Sequence, residues 1–200
     1  MTRAIEFHFD FVSPYSYLAI TQLPALARQH QAEIVYKPFR LLELMKLVGN
    51  RPTTIECKNK LRYAGADLGR WAAKYGVSIH RNPHQSKFDS ALLLRGALAA
   101  ADDGDAAAYV SGVFGAMWNG ERDLSERAEL LGVLKQAGLA GEKLLERATS
   151  GDFATRLDRE TAAAAERGLF GSPSFVVGNE LFFGNDRLEF VAAALAAAQA

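Results

Sequence analysis

Two serine hydroxyls lie where a strand is predicted to turn into a helix, a place where side chains can bind or activate an anion. The four residues are Ser13-Pro14-Tyr15-Ser16. Serine is a preferred N-cap and proline a preferred first helical residue, so a helix is predicted to begin here. The free N–H groups at a helix N-terminus attract anions. The segment therefore predicts an anion site at Ser13 or, as the alternative, a serine that only caps the helix.

The residues before Ser13 have the alternation of a half-buried strand. Apolar and polar side chains take alternate positions: Ile5, Phe7, Phe9 and Phe11 against Glu6, His8 and Asp10. A helical pattern then runs to about Gln31, and a second strand is predicted from residue 32 to residue 39. Strand, helix and strand of these lengths predict a parallel βαβ unit.

The rest of the chain is first helical and then returns to strands. Residues 41–167 form one helical pattern after another without an internal repeat, including a long helix predicted from Glu56 to Tyr75 and another predicted from Ser125 to Gln136. Strand patterns return at residues 174–177 and 180–183 with two turn residues between them, which predicts a hairpin. A last helix is predicted from about Leu188 to Ala198.

This order is that of the thioredoxin fold with an inserted helical block. The sequence therefore predicts an α/β protein with a thioredoxin-like fold (βαβ…ββα) and an all-helical insertion subdomain. Residues 1–40 and 168–200 are predicted to form the thioredoxin-like domain, and residues 41–167 the helical insertion.

The composition narrows the classes of function. The chain has 200 residues, a formal net charge of +0 and 49% hydrophobic residues, which suffices for a sizeable core. A neutral balance predicts no nucleic-acid partner, and the lack of an apolar run of roughly 20 residues predicts no membrane partner. The charged first residues lead into a strand, so we expect no signal peptide and a cytoplasmic location. The single cysteine, Cys57, excludes an internal disulfide, and the histidines lack metal-ligand spacing, so no metal is predicted.

The missing cysteines are informative. In thioredoxin folds a C-x-x-C pair lies at the start of the first helix. At that place this chain has Ser13 and Ser16. A hydroxyl cannot take part in thiol–disulfide exchange, so oxidoreductase activity of the disulfide type is disfavoured. An anion site without its own sulfur predicts a thiol from outside, and glutathione is the natural supplier.

Both ends of the chain resemble the 2-hydroxychromene-2-carboxylate isomerase family, which is close to the kappa-class glutathione transferases and the bacterial disulfide oxidoreductases. The resemblance rests on residues 10–19, 170–174 and 183–188 and covers nearly the whole chain. It implies a glutathione-dependent cis–trans isomerase that adds a thiolate reversibly to an aromatic unsaturated keto acid. Two alternatives stay open: a kappa-like glutathione transferase that conjugates electrophiles, and a non-catalytic glutathione-binding module with a thioredoxin fold.

The resemblance implies a role for each of the shared residues. The hydroxyl of Ser13 would donate a hydrogen bond to the glutathione sulfur and act as the catalytic group. Pro173 would be a cis-proline, and the backbone of Ser172 before it would pair with the cysteinyl part of glutathione. Asn185 and Asp186, ahead of the last helix, would hold the γ-glutamyl carboxylate and ammonium. The alternatives are an ordinary trans-proline and a plain helix cap, in which Asp186 pairs with the next residue or with nothing.

Three further residues have candidate roles in binding. By resemblance, Asn50 and Lys60 would reach the glutathione peptide backbone and the glycyl carboxylate; the alternative for Lys60 is a solvated helix face. Trp118 is a candidate for an aromatic wall over an aromatic substrate, and its alternative is core packing. The relatives also suggest a homodimer.

Overall fold

The computed structural model describes residues 3–197 and shows a four-stranded sheet with ten helices. The strands are β1 (Arg3–Phe9), β2 (Ala32–Pro38), β3 (Ser174–Val177) and β4 (Glu180–Phe183). The helices are α1 (Pro14–Gln29), α2 (Leu41–Leu47), α3 (Thr53–Glu56), α4 (Lys58–Tyr75), α5 (Ser90–Asp102), α6 (Ala106–Asn119), α7 (Arg127–Gln136), α8 (Gly141–Ala148), α9 (Gly151–Glu166) and α10 (Leu188–Ala197). Short 3₁₀ turns lie at Gln85–Lys87 and Asn185–Arg187. The predicted end of the last helix, at Ala198, lies outside the described residues.

The sheet confirms the predicted βαβ…ββα order. Its strands follow the order β2-β1-β3-β4. The β1 and β2 pair is parallel, and the two pairs that involve β3 are antiparallel. The central strand β1 places Phe7 opposite Tyr36 of β2 and opposite Phe175 of β3. Because the first helix follows the central strand, its N-terminus begins next to the middle of the sheet.

One hydrophobic core joins the sheet to the helical segment. Phe7, Phe9 and Phe11 are fully buried. The ring of Phe114 on α6 lies 5.6 Å from that of Phe9 and 4.7 Å from that of Phe11, between centroids. The same buried cluster includes residues of α1, α5, α6 and α10. The sheet and the helical segment therefore share one buried core, and the boundaries of the thioredoxin-like domain and the helical subdomain stay a prediction.

The main differences from the predicted elements are at helix boundaries. The helix predicted from Glu56 to Tyr75 is divided at Cys57, whose backbone is extended, into α3 and α4. The helix predicted from Ser125 begins at Arg127. Such boundaries depend on the local backbone conformation, which periodicity alone does not determine. Within residues 3–197, no helix is long and apolar enough to span a bilayer.

Candidate functional site at the start of helix α1

Ser13 is the N-cap of α1, and its hydroxyl has a second partner across the fold. The side-chain oxygen accepts a hydrogen bond from the N–H of Ser16 at 3.2 Å, which confirms the capping interpretation. The hydroxyl donates to the carbonyl oxygen of Ser172 at 3.1 Å. The resemblance assigns the hydroxyl hydrogen of Ser13 to the glutathione sulfur. In this structure that hydrogen is donated to a main-chain carbonyl instead.

The segment around Pro173 lies against the start of α1. The Ser172–Pro173 peptide bond is cis, as the resemblance implied. The hydroxyl oxygens of Ser172 and Ser16 are 2.7 Å apart, and the N–H of Asp10 donates to the Ser172 hydroxyl at 3.0 Å. The structure thus brings together Ser13, Ser172 and Pro173 and adds Ser16, which the sequence had placed at a lost cysteine position without a binding role.

Asp10 lies beneath this cluster and is a functional candidate that sequence reasoning missed. Its carboxylate accepts hydrogen bonds from the N–H of Leu41 at 2.8 Å and that of Val12 at 3.2 Å. Burial away from water raises the pKa of this carboxyl to about 6, against the lowering effect of these N–H groups. The alternation of β1 put Asp10 on the polar face of the strand, but no sequence signal showed that the following turn and α2 would bury it.

Trp118 occupies the core instead of an open wall. Its side chain is only 8% exposed, and its indole N–H donates to the carbonyl oxygen of Phe11 at 2.8 Å. The alternative of core packing describes this position, because the ring belongs to the buried cluster of α6. A direct contact between Trp118 and a substrate stays a prediction that this burial disfavours. Its observed partner, Phe11, belongs to the loop that carries Ser13.

Asn50 lies next to the cis-proline segment. Its side-chain N–H donates to the carbonyl oxygen of Phe170 at 2.8 Å, two residues before Ser172. Its side-chain oxygen accepts from the N–H of Arg51 at 2.8 Å. The structure thus places Asn50 beside the predicted cysteinyl position, where it ties the loop after α2 to the segment before β3.

Lys60 lies on an exposed face of α4 and borders a groove. Its ammonium is 3.3 Å from the hydroxyl of Thr53. The groove has a volume of about 430 Å³ and is lined by Tyr15, Thr54, Asn59, Lys60, Tyr63 and Ala64. Tyr15 connects this groove to α1, and its hydroxyl donates to the carboxylate of Asp67 at 3.2 Å. Lys60 is therefore a solvated cation at one end of the candidate site.

Asn185 and Asp186 form the turn before α10, and this turn contacts α1. The side chain of Asn185 is 3% exposed, and its amide nitrogen has no hydrogen-bond partner within residues 3–197. The carboxylate of Asp186 pairs with Arg187 at 2.5 Å, as one alternative predicted. Both residues also line a cavity of about 330 Å³ between α4, α10 and the C-terminal half of α1, which contributes Gln22, Ala25, Leu26 and Gln29 but not Ser13.

The described residues contain no cluster of three or more histidine, cysteine, aspartate or glutamate side chains suited to a metal ion. Cys57 is exposed at the break between α3 and α4. His8 is buried and hydrogen-bonded to Glu6 at 3.0 Å. Burial lowers the pKa of His8, although Glu6 opposes that change.

Comparison with known proteins places this geometry in a family. Residues 4–196 match the family model of the DSBA-like thioredoxin domain. A 2-hydroxychromene-2-carboxylate isomerase of Sphingobium xenophagum is 35% identical over 192 residues, which is 96% of this chain and 97% of that protein. The chain belongs to the 2-hydroxychromene-2-carboxylate isomerase family. The resemblance read from its two ends is confirmed.

Other relatives of this isomerase family member agree with that placement. A 2-hydroxychromene-2-carboxylate isomerase of Pseudomonas putida is 36% identical over 194 residues, 96% of this chain and 93% of that protein. A solved structure of a 2-hydroxychromene-2-carboxylate isomerase has a TM-score of 0.87 at 32% identity and covers 98% of this chain and 95% of that one. A human glutathione S-transferase kappa 1 is 26% identical, over 96% of this chain and 90% of that protein. The predicted thioredoxin-like fold is confirmed.

Proposed function

We propose that this chain is a glutathione-dependent isomerase of the 2-hydroxychromene-2-carboxylate type, acting on an aromatic unsaturated keto acid. The observation that carries the proposal is the start of α1. It keeps the helix N-terminus and the facing cis-proline of a thioredoxin fold, yet it has Ser13 and Ser16 where cysteines would provide the sulfur. Relatives named as this isomerase, at 35% and 36% identity, support the reaction class.

The start of α1 is suited to a sulfur anion. Pro14 has no N–H, and the N–H of Tyr15 has no acceptor within residues 3–197, so one main-chain donor is free in the first turn. The helix dipole adds a partial positive charge at this end. Together these effects lower the pKa of a thiol held there from its ordinary value of about 8.5. Bound glutathione would supply the nucleophilic thiolate, whose reversible addition turns a double bond into a rotatable single bond.

The turn before α10 fits the amino-acid end of glutathione. The buried amide nitrogen of Asn185 lacks a partner among residues 3–197, and a buried donor without an acceptor is unfavourable unless a ligand or water satisfies it. A γ-glutamyl carboxylate would accept from it. Asp186 lies in the same turn, and its carboxylate would pair with the ammonium group of the ligand. We infer that Asn185 binds the carboxylate and Asp186 the ammonium group of the γ-glutamyl end of glutathione.

The groove beside Tyr15 fits the opposite end of the tripeptide. Lys60 is the cation that lines it, and an exposed ammonium can pair with a glycyl carboxylate without a large desolvation cost. Asn50 retains one amide hydrogen beyond its bond to Phe170, so it can donate to a peptide carbonyl of the ligand. The backbone N–H of Ser172, which has no acceptor within the described residues, would pair with the cysteinyl carbonyl.

The reaction is tested by following both isomer and thiol. We expect the purified chain to convert 2-hydroxychromene-2-carboxylate to its ring-opened trans isomer only when glutathione is present, while the total thiol concentration stays constant. A kappa-like transferase would instead consume thiol with a chlorinated nitrobenzene as acceptor. Absence of glutathione binding at millimolar concentration, measured by calorimetry, would contradict the proposal and leave the non-catalytic alternative without its ligand as well.

A further inference from the structure

Three hydroxyl groups meet between the start of α1 and the cis-proline segment, and their hydrogens can be accounted for one by one. Ser13 donates its only hydroxyl hydrogen to the carbonyl oxygen of Ser172. The hydroxyl oxygens of Ser16 and Ser172 are 2.7 Å apart, so one of the two donates to the other. Each of these two hydroxyls has one hydrogen, and only one of the two hydrogens is used in the bond between them. The other hydrogen has no acceptor yet.

Burial decides which serine keeps the free hydrogen. Ser16 is fully buried, whereas Ser172 is half-buried. Within residues 3–197, the Ser16 hydroxyl has no partner other than Ser172. A free hydrogen on Ser16 would be a buried donor without an acceptor, which is strongly unfavourable. Ser16 therefore donates to Ser172.

The Ser172 hydroxyl is then a polarised donor. Its oxygen accepts from Ser16 at 2.7 Å and from the N–H of Asp10 at 3.0 Å, so both lone pairs are engaged. Its hydrogen then has no acceptor among the described residues. Incoming hydrogen bonds polarise an O–H group and strengthen the bond that it donates.

We propose that the Ser172 hydroxyl donates the hydrogen bond that stabilises the sulfur anion of bound glutathione. This role rests on the proposed function, since it requires the thiol to lie at the start of α1. Ser13 can donate to the sulfur only by releasing the carbonyl of Ser172, whereas Ser172 donates without breaking a hydrogen bond of the protein. The thiol proton leaves to solvent, and no covalent bond to the protein forms. Ser172 is thus a catalytic residue and Ser16 a positioning residue.

The test is the pKa of the glutathione thiol when it is bound to the protein. Thiolate absorbance in the ultraviolet, recorded against pH with protein in excess, gives this value. We expect Ser172→Ala to raise it by about one unit, because hydrogen bonds to charged acceptors are the stronger ones. Ser172→Thr keeps the hydroxyl and should restore the wild-type value. S-methylglutathione, which forms no sulfur anion, should bind the wild type and Ser172→Ala equally.

Two further variants separate this role from loop stability. Ser174 is buried in the same segment, but its hydroxyl donates to the carbonyl of Gly171 at 2.9 Å. Ser174→Ala should lower the melting temperature and leave the bound thiol pKa unchanged. Ser16→Ala should raise that pKa by less than Ser172→Ala does. An unchanged pKa in Ser172→Ala, with glutathione still bound by the wild type, overturns the role of Ser172 alone; failure of the wild type to bind glutathione overturns the proposed function too.

Discussion

The hydroxyl of Ser13 donates to the carbonyl oxygen of Ser172 across 3.1 Å, although 159 positions separate the two residues. This bond ties the first turn of α1 to the segment that contains the cis-proline. It makes Ser13 both a helix cap and a clamp on the opposite wall of the site. Any change at Ser13 therefore acts on the helix N-terminus and on Ser172 together.

Replacement of Ser13 by alanine should impair catalysis more than stability. We expect Ser13→Ala to reduce glutathione-dependent turnover by tenfold or more (about 1.4 kcal/mol), because it releases the carbonyl of Ser172 and so loosens the residue that donates to the sulfur. The unfolding free energy should fall by about 1 kcal/mol from loss of the cap. Turnover kinetics and denaturant unfolding measure the two effects.

A cap far from the site provides the control for Ser13. Asp89 is the N-cap of α5 and accepts the N–H of Leu92 at 2.9 Å. Asp89→Ala should cost a similar free energy of unfolding, about 1 kcal/mol, and leave turnover at the wild-type level. Equal losses of turnover in the two variants would show that Ser13 acts through stability only.

Asn185 should contribute to affinity and not to stability. Its buried amide nitrogen has no partner in the part of the chain that the structure describes, so Asn185→Ala removes an unsatisfied group. We expect glutathione affinity to fall about tenfold by calorimetry while the melting temperature holds or rises. In Asn82, by contrast, both side-chain N–H groups are bonded, to the carbonyls of Ala116 and Arg122. Asn82→Ala should lower the melting temperature. An equal decrease in the melting temperature of Asn185→Ala would contradict the proposed role of Asn185.

Asp10 should make stability depend on pH in an identifiable way. Burial raises its pKa from 3.8 to about 6, so the folded protein holds this proton more tightly than the unfolded chain does. The stabilisation is present below about pH 4 and is lost as the pH rises through about 6, a change of about 3 kcal/mol. Asp10→Asn cannot titrate. From pH 4 to above pH 6, the unfolding free energy of the wild type should therefore fall relative to that of Asp10→Asn. A constant difference between the two would contradict the burial of an ionisable Asp10.

Trp118 should support the loop that carries Ser13. Trp118→Phe leaves the buried carbonyl of Phe11 without its donor, so the unfolding free energy should fall by about 2 kcal/mol. Trp71, whose indole N–H has no hydrogen bond among the described residues, is the matched control, and Trp71→Phe should cost less than 1 kcal/mol. If Trp118 instead forms a wall for the substrate, Trp118→Phe should raise KM at unchanged stability.

Most of the fold was predictable because its signals are local. The alternation in β1, the serine and proline at the start of α1, and the two-residue turn between β3 and β4 each depend on a few adjacent residues. The positions of the hairpin strands agree with the prediction residue by residue. The break at Cys57 was missed, because a helical pattern continues on both sides of it.

The site was predictable only as far as residue types and the family resemblance reached. Ser13, Ser172, Pro173, Asn185 and Asp186 were singled out from the sequence, and their roles stay predictions. The roles of Asp10 and Ser16 were not foreseen, and core packing of Trp118 was only the alternative to a substrate wall. Each depends on a partner more than 30 positions away: Leu41, Ser172 and Phe11.

The sequence by itself determined that this chain has a thioredoxin-like order of elements and no sulfur at the start of its first helix. Residue type alone decides that point, because no arrangement of hydroxyls performs thiol exchange. The tertiary structure decided how those hydroxyls share their hydrogens. Only the approach of the cis-proline segment shows that Ser13 is engaged with Ser172 and that Ser16 is buried beside a half-buried Ser172, from which we infer the free donor on Ser172. Hydrogen-bond direction depends on burial and distance, and both arise only when distant segments pack together.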